Sequence, residues 1–458
     1  MSERDAALER AHLHAREYLK TVADRPVHAL LTAAQLRERL SGPMPIAGEA
    51  APTVVDRLAG AAGGTIATQG PRYFGFVIGG SMPAATAAEW LVAAWDQNAG
   101  VYNLSPIASV VEDIAAGWVR DLAGLPATWS VGFVTGCQMA NFTALDTARH
   151  HVLAQAGWDV EARGLFGAPP IHVYTSDESH YTIFMALRML GLGADRVTRI
   201  PTDAQGRMRA DALVAALRET TGPAIVCAQA GNVNTGAFDP LPAIADAARD
   251  RGAWLHVDGA FGLWACMSRS RKHLVDGITR ADSIATDAHK WLNVPYDSGL
   301  ALTAHRESHR KAMMLSAAYI LEDAAERDPH EFVPEESRRA RGVAVYAALR
   351  SLGRDGLTAL VDRCCDHATR MADRLSAHPS VQILNDVVLN QVLVRFEPAT
   401  GSADDYTREV IARVQKDGTC WLGGTQWHGV AAMRISISNW TTTAEDIDRS
   451  AEAILRAI

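Results

Sequence analysis

Between residues 171 and 286, short apolar runs alternate with stretches of helical periodicity, and this alternation restricts the possible folds more than any other feature of the chain. Ile171–Tyr174, Ala224–Ala228, Trp254–Val257 and Ser283–Thr286 are four or five residues each, bounded by turn-forming residues and too short for helices. The intervening segments 179–190, 209–219 and 241–251 carry apolar residues at helical spacing. Strand, helix and strand in repetition predict a mostly parallel sheet covered by helices on both faces, an α/β fold.

The flanks read differently. Residues 6–41 show helical periodicity broken at Pro26 and at Ser41-Gly-Pro, which predicts a helical arm. AATAAEWLVAAW and ASVVEDIAAGWVRDLAGL, between 75 and 125, read as helices over a larger core. Beyond 310 come helices around 337–350 and 353–377, strands near 380–395, a helix at 403–416 and strands up to Ser438. A last helix opens at TTTAED, a capping sequence. The expected organisation is an N-terminal helical arm over 1–70, a large α/β domain over 71–310 and an α+β small domain over 311–458. The acidic segment 322–336, EDAAERDPHEFVPEE, reads as a mobile surface loop over the active site.

Charge and cysteine usage exclude several functions. A formal net charge of −8, with no long run of Lys and Arg, offers no footprint for a nucleic-acid backbone. The first twenty residues mix both charge signs, and no uncharged apolar stretch reaches about 18 residues, so no export signal or membrane span is expected. Six cysteines without a CxxC pair fit a reduced, cytoplasmic interior. No metal is expected: His150 and His151 are adjacent and cannot share one helix face.

Chemistry concentrates just after the predicted strands. TDAHKW at 286–291 places His289 and Lys290 at a strand-to-loop transition, where a desolvated lysine would have a depressed pKa and act as an imine-forming nucleophile. In HVDGAFG, Asp258 ends a strand and could hold a proton on a pyridine nitrogen, while Ala260 leaves room for a flat ring. VTGCQMANFTAL turns through Gly136 into a helix, where the amides of Gly136, Cys137 and Gln138 would form a phosphate cradle. His180, in SDESHYT, follows another strand and opens a helix, a placement suited to stacking on an aromatic face. Each feature alone is also ordinary structure: a turn, a cap or a surface lysine. All four in this order, each after a strand of one sheet, point to pyridoxal 5'-phosphate.

With these motifs the chain resembles the PLP-dependent amino-acid decarboxylases of the aspartate aminotransferase fold (fold type I), which include aromatic-amino-acid, glutamate and histidine decarboxylases. DAHKW is the most specific match, and PRYFGFVIGGSMPAATAAEWL, YNLSPIASVVED and MRISISNWTTTAEDID extend it over most of the chain. The resemblance implies Lys290 as the Schiff-base lysine, Asp258 on the ring nitrogen, His180 on the ring face and Ala260 beneath it. It implies phosphate contacts from Gly136, Cys137, Gln138, Asp287 and His289, and a cofactor contact from Thr235 on the substrate side. It further implies Arg434 as receiver of the substrate carboxylate, and a homodimer with interfacial sites. The cradle departs from the family where Cys137, Gln138 and Met139 replace Gly or Ala, Ser or Thr, and Glu, and where the acidic Asp287 stands in place of a frequent Asn.

The expected reaction is loss of CO2 from an L-amino acid to give an amine. Family members usually carry a proton-donating tyrosine on the loop after the lysine, but 322–336 contains none; Tyr319 precedes it and Tyr346 follows. His330 and Phe332 are nearest to that role, and His330 could donate a proton near neutral pH. If Phe332 fills the position, reaction with oxygen to an aldehyde competes. A carbon–carbon lyase, an aminotransferase or a non-enzymatic binding role also share the fold. Phe76, with Tyr73, Phe74, Trp90 and Trp95, is a candidate lining for an apolar pocket. The absence of Arg and Lys from residues 75–106 favours an aromatic or apolar substrate over an acidic one.

Overall fold

A computed structural model describes residues 2–314 and 326–458. The chain divides into two compact units, one of Met1–Ile78, Arg370–Ile383 and Leu393–Ile458, the other of Gly79–Thr369 and Leu384–Val392. This differs from the expected boundaries at 70 and 310. Both chain ends contribute to the smaller unit, and the described residues between 311 and 369 belong with the larger one.

In chain order the elements begin with α1 (Glu3–Thr21), α2 (Ala33–Leu40), α3 (Ala51–Ala59), α4 (Pro83–Trp95), α5 (Pro106–Leu122), β1 (Ser130–Val134) and α6 (Cys137–Gln155). There follow α7 (Val160–Arg163), β2 (His172–Ser176), α8 (Tyr181–Met189), β3 (Thr198–Ile200), α9 (Ala210–Arg218), β4 (Ala224–Gln229), α10 (Leu241–Arg251) and β5 (Trp254–Asp258). Then come β6 (Ser283–Asp287), β7 (Gly299–Thr303), α11 (Arg306–Met313) and α12 (Arg341–Ser376), the last broken at Gly353, where φ is 62°. The chain ends with β8 (Val381–Ile383), β9 (Gln391–Phe396), α13 (Ala403–Asp417), β10 (Gly423–Trp427), β11 (Val430–Ser436) and α14 (Ala444–Arg456).

The larger unit is built on a seven-stranded sheet of order β1-β7-β6-β5-β4-β2-β3. Its strands are parallel except β7, which runs antiparallel to both β1 and β6. Every residue of β1, β4, β5, β6 and β7 is buried, which explains the continuous apolar runs: both faces carry helices, so neither alternates with polar residues. Leu145 and Val152 of α6 pack with Ile183 and Leu187 of α8 over Ile225 and Trp254. Because β1, β2, β5 and β6 point the same way, their carboxyl ends open on one edge, where an α/β sheet places its ligand.

The smaller unit holds a four-stranded sheet of order β10-β11-β9-β8. The Thr443 hydroxyl accepts the Asp446 N–H at 3.2 Å and the Asp446 carboxylate accepts the Thr443 N–H at 3.1 Å, so the capping sequence closes α14 as expected.

Within the described part of 322–336, the stretch from 328 to 333 is not a surface loop, while Glu326, Pro334 and Glu336 are exposed. Asp328 through Val333 are buried, with Pro329–Phe332 in a 3-10 turn. Asp328 accepts the Tyr102 N–H at 2.7 Å, Glu331 pairs with Arg310 at 2.9 Å, and the Phe332 ring lies under the Arg306 and Arg327 guanidinium groups. Asp328 and Glu331, which read as solvent-seeking, are satisfied internally. Residues 322–325 and Tyr319 lie outside the described residues. Among the described residues no helix is long and apolar enough to cross a membrane.

Candidate active site

β6 ends at Asp287, and the chain turns immediately through His289 and Lys290. Lys290 Nζ lies 3.0 Å from Asp287 Oδ2. Burial pushes this amine down, but Asp287, with Asp258 beyond it, outweighs the desolvation and holds the pKa above the ordinary lysine value. The depressed pKa expected from burial alone is therefore corrected: the lysine is buried as one member of an ion pair. A Cβ on Gly79 would fall 1.7 Å from the Lys290 carbonyl oxygen, so a glycine is required where the chain crosses the lysine.

Opposite the lysine, β1 leads through extended Gly136 (φ 171°) into α6, which starts without a side-chain cap. Its first amide is engaged: Cys137 N–H donates to Asp287 Oδ1 at 2.5 Å. A Cβ on Gly136 would stand 3.2 Å from His289 Cε1 and 3.5 Å from Asp287 Oδ1, so the space between helix start and lysine turn is one a side chain would fill. Gln138 lies half-buried on the same first turn. His289 places Nε2 3.4 Å from Asp287 Oδ1 and stacks on Tyr296, with ring centroids 4.2 Å apart. Burial lowers the His289 pKa, and its Nδ1 is a buried atom without a hydrogen-bond partner among the described residues.

Asp258, at the end of β5, receives three donors. Ala260 N–H reaches Oδ1 at 3.1 Å, Cys137 Sγ lies 3.5 Å from the same oxygen, and Asn141 Nδ2 lies 3.2 Å from Oδ2. Burial, followed by the charges of Asp258 and Asp287, pushes the Cys137 thiol well up, so it remains an S–H donor. His180 occupies the N-cap of α8, its Nδ1 2.8 Å from Thr182 Oγ1 and its ring against Tyr181.

The larger unit thus carries Lys290, Asp287, His289, Gly136, Cys137, Asp258 and Ala260 in one set of contacts, and His180 joins it through Thr182 and Asn141. Thr235 is fully buried, and its hydroxyl donates to the Gln205 carbonyl at 2.7 Å. His330 is buried in its 3-10 turn, its N–H bound to the Gly100 carbonyl at 2.9 Å. Phe332 is fully buried beside β1, where a Cβ on Gly132 would meet its carbonyl oxygen at 2.1 Å, so it is a core residue.

Arg434 and Phe76 belong to the smaller unit. Arg434 lies on β11 beside Tyr73, and burial lowers its pKa. Tyr73 stacks on Trp421 at 5.1 Å and Phe76 on Trp421 at 5.8 Å. Phe74 is buried core, while Trp90 and Trp95 face outward on α4. Sequence reading missed Asn141 and His256, because an Asn and a His inside apolar segments carry no local signal of what they touch.

The donor set suits pyridoxal 5'-phosphate. An amine at a strand end suits the aldehyde, a carboxylate held by three donors suits a ring nitrogen, and a glycine-led helix start that already binds one anionic oxygen, that of Asp287, suits a phosphate oxygen. The pyridoxal-dependent decarboxylase conserved domain matches residues 36–397. L-2,4-diaminobutyrate decarboxylase of Rhizobium meliloti is 32% identical over 381 residues, which cover 81% of this chain and 74% of that one. Aromatic-L-amino-acid decarboxylase of Bacillus atrophaeus is 28% identical over 393 residues, 82% of this chain and 79% of that one. The crystal structure of Oryza sativa TDC with PLP and tryptamine matches the fold with a TM-score of 0.92 at 23% identity, covering 99% of this chain and 97% of that one. A lysine and an aspartate at neighbouring strand ends, a glycine-led helix and a family match across most of the chain lead to one assignment: this chain belongs to the pyridoxal-dependent decarboxylase family and is an amino-acid decarboxylase that works with pyridoxal 5'-phosphate.

Proposed function

We propose that the chain decarboxylates an L-amino acid with an aromatic or apolar side chain, releasing an amine and CO2. The observation that carries this reading is Phe76. The residue is 62% exposed on a left-handed backbone (φ 53°), and Val77 follows at φ 58°. Two successive non-glycine residues in this region, one of them β-branched, cost on the order of 1–3 kcal/mol each, a strain that clusters at ligand-holding segments. The Tyr73–Trp421 pair has Arg434 beside the buried tyrosine and the exposed Phe76 against the tryptophan, so a guanidinium for a carboxylate and a ring for an apolar side chain flank the same pair.

The cofactor supplies an electron sink for the pair left on the α-carbon when CO2 departs. Lys290 would hold its aldehyde carbon, Asp258 would keep a proton on its ring nitrogen, His180 would lie against its face, and the start of α6 would receive its phosphate. Cys137 and Ala260 fix the Asp258 carboxylate through the sulfur and the backbone amide, the orientation in which it would meet a ring nitrogen. His330 is the proposed proton donor to the α-carbon; its Nε2 is buried and has no hydrogen-bond partner among the described residues.

Self-association into a homodimer is part of the same reading. Trp90, Leu91 and Trp95 on α4 and Ile107, Val110 and Ile114 on α5 are all exposed, an apolar surface that a partner copy would cover. Sedimentation of the holoenzyme as a monomer would remove this element.

The test is to incubate holoenzyme separately with aromatic, aliphatic, dibasic and acidic L-amino acids and to measure CO2 and amine. Turnover confined to acidic or dibasic substrates overturns the substrate reading, and stoichiometric oxygen uptake with aldehyde formation overturns the amine product. Arg434→Met and Phe76→Ala should each raise KM more than they lower kcat.

A further inference from the structure

We propose that Trp254, Ser283, His256 and Asn141 form a one-way chain of hydrogen bonds whose donors all point at the Asp258 carboxylate, and that Asn141 uses its second N–H to orient His180 through Thr182.

The two ends fix the direction. The Trp254 indole can only donate, and it gives its Nε1–H to Ser283 Oγ at 2.9 Å. Ser283 Oγ lies 2.9 Å from His256 Nδ1 and passes its own proton there, so the ring carries its hydrogen on Nε2. Nε2–H donates to Asn141 Oδ1 at 2.9 Å. With the amide oxygen engaged, both hydrogens of Nδ2 face outward, one to Asp258 Oδ2 at 3.2 Å and one to Thr182 Oγ1 at 3.3 Å. The opposite histidine tautomer would set an unprotonated Nε2 against the amide oxygen. A flipped amide would set its oxygen against the carboxylate. Only one arrangement satisfies every pair.

Burial holds His256 neutral, its pKa lowered to about 4, so the chain delivers oriented dipoles rather than a charge. Trp254, Ser283, His256 and Asn141 are all essentially inaccessible to solvent, where such dipoles act with little screening. On the other branch, Thr182 accepts from Asn141 and gives its hydroxyl proton to His180 Nδ1 at 2.8 Å, which places the His180 hydrogen on Nε2. One asparagine side chain therefore sets both the ring-nitrogen partner and the ring-face histidine. These are positioning residues: none needs to touch cofactor or substrate.

The experiment reconstitutes wild type, His256→Phe, His256→Gln and Ser283→Ala with PLP labelled with 15N in its ring. It records the ring-nitrogen NMR shift, the PLP dissociation constant, and kcat and KM separately. His256→Phe should move the nitrogen signal toward the unprotonated value. It should also weaken PLP binding and lower kcat by about ten- to a hundredfold, by analogy with the loss when hydrogen-bond partners behind metal ligands are removed, with KM little changed. His256→Gln, which can still donate to Asn141, should recover most of each loss, and Ser283→Ala should give a smaller shift of the same sign. If His256→Phe does not fold, Ser283→Ala decides by the same signal. An unchanged nitrogen shift and PLP affinity with only a lower melting temperature overturns the proposal.

Discussion

The Asp287 carboxylate bridges two elements at once, pairing with Lys290 Nζ at 3.0 Å through one oxygen and accepting the Cys137 N–H at 2.5 Å through the other. It stands where α6 would meet a phosphate, and it keeps the lysine protonated.

Asp287→Asn removes both obstacles. Burial of Lys290 is then less opposed, its pKa falls, and more of the amine is neutral and nucleophilic at pH 7.5, while the like-charge repulsion toward a phosphate disappears. Apoenzyme of the variant should capture PLP several-fold faster than wild type, read as the rise of the yellow absorbance. Slower or unchanged capture contradicts this account. Lys290→Ala should show neither the chromophore nor CO2 release.

A buried ion cluster joins α5 to the segment before α12. Glu112 accepts from Arg338 at 2.8 Å and from Arg327 at 3.2 Å, and Arg338 also donates to the Phe133 carbonyl of β1 at 2.7 Å. Glu112→Gln leaves two buried guanidinium groups without their counter-charge. The expected destabilisation is about 3–5 kcal/mol by chemical denaturation, against less than about 1 kcal/mol for the exposed pair Arg354–Asp121.

His309 Nδ1 lies 2.9 Å from Ser130 Oγ, its ring edges onto Phe332, and its pKa is pushed down to about 3 by burial and by Arg327. Unfolded, it would titrate near 6.5. As pH falls from 7 to 4.5 the unfolded chain takes up this proton and the folded chain does not, so stability declines with falling pH. Replacement by Gln should reduce that decline by about 2–3 kcal/mol in urea unfolding compared at the two pH values. Parallel pH profiles for wild type and variant would show that His309 is not the group responsible.

Gly79→Ala drives a methyl group into the Lys290 carbonyl, whose oxygen lies 1.7 Å from the Cβ position. The sheet should form, because β1 to β7 are untouched, but the lysine turn must shift. Normal far-ultraviolet circular dichroism with PLP affinity reduced at least tenfold is the expected result. Unaltered affinity would mean that the crossing relaxes without moving the lysine.

The strands after 171 were legible because a sheet buried on both faces writes itself as unbroken apolar runs, and β4, β5 and β6 fall within one residue of the expected positions. Asp258, Lys290 and His180 were legible for a related reason, being polar residues stationed just past such runs. β7 was not, since Gly299–Thr303 is a short apolar segment whose reversed direction depends on the turn that follows Lys290. The 3-10 turn at Pro329–Phe332 was misplaced because composition reports charge but not whether a partner such as Arg310 or Tyr102 N–H awaits it. Asn141 and His256 acquire their roles only through contact between α6 and β5, positions far apart in the chain.

A Cβ on Gly299 would overlap the backbone of Gly136, 2.5 Å from its Cα, so the two glycines meet back to back where β7 slots between β1 and β6. The lysine turn lies between β6 and β7, and the cradle begins directly after β1. The two halves of the proposed binding site therefore face each other only once this pairing, the most distant in sequence within the seven-stranded sheet, has closed. During refolding, cofactor capture should then lag behind collapse and report the closing of the sheet, making the bound chromophore a clock for the slowest long-range contact in the unit.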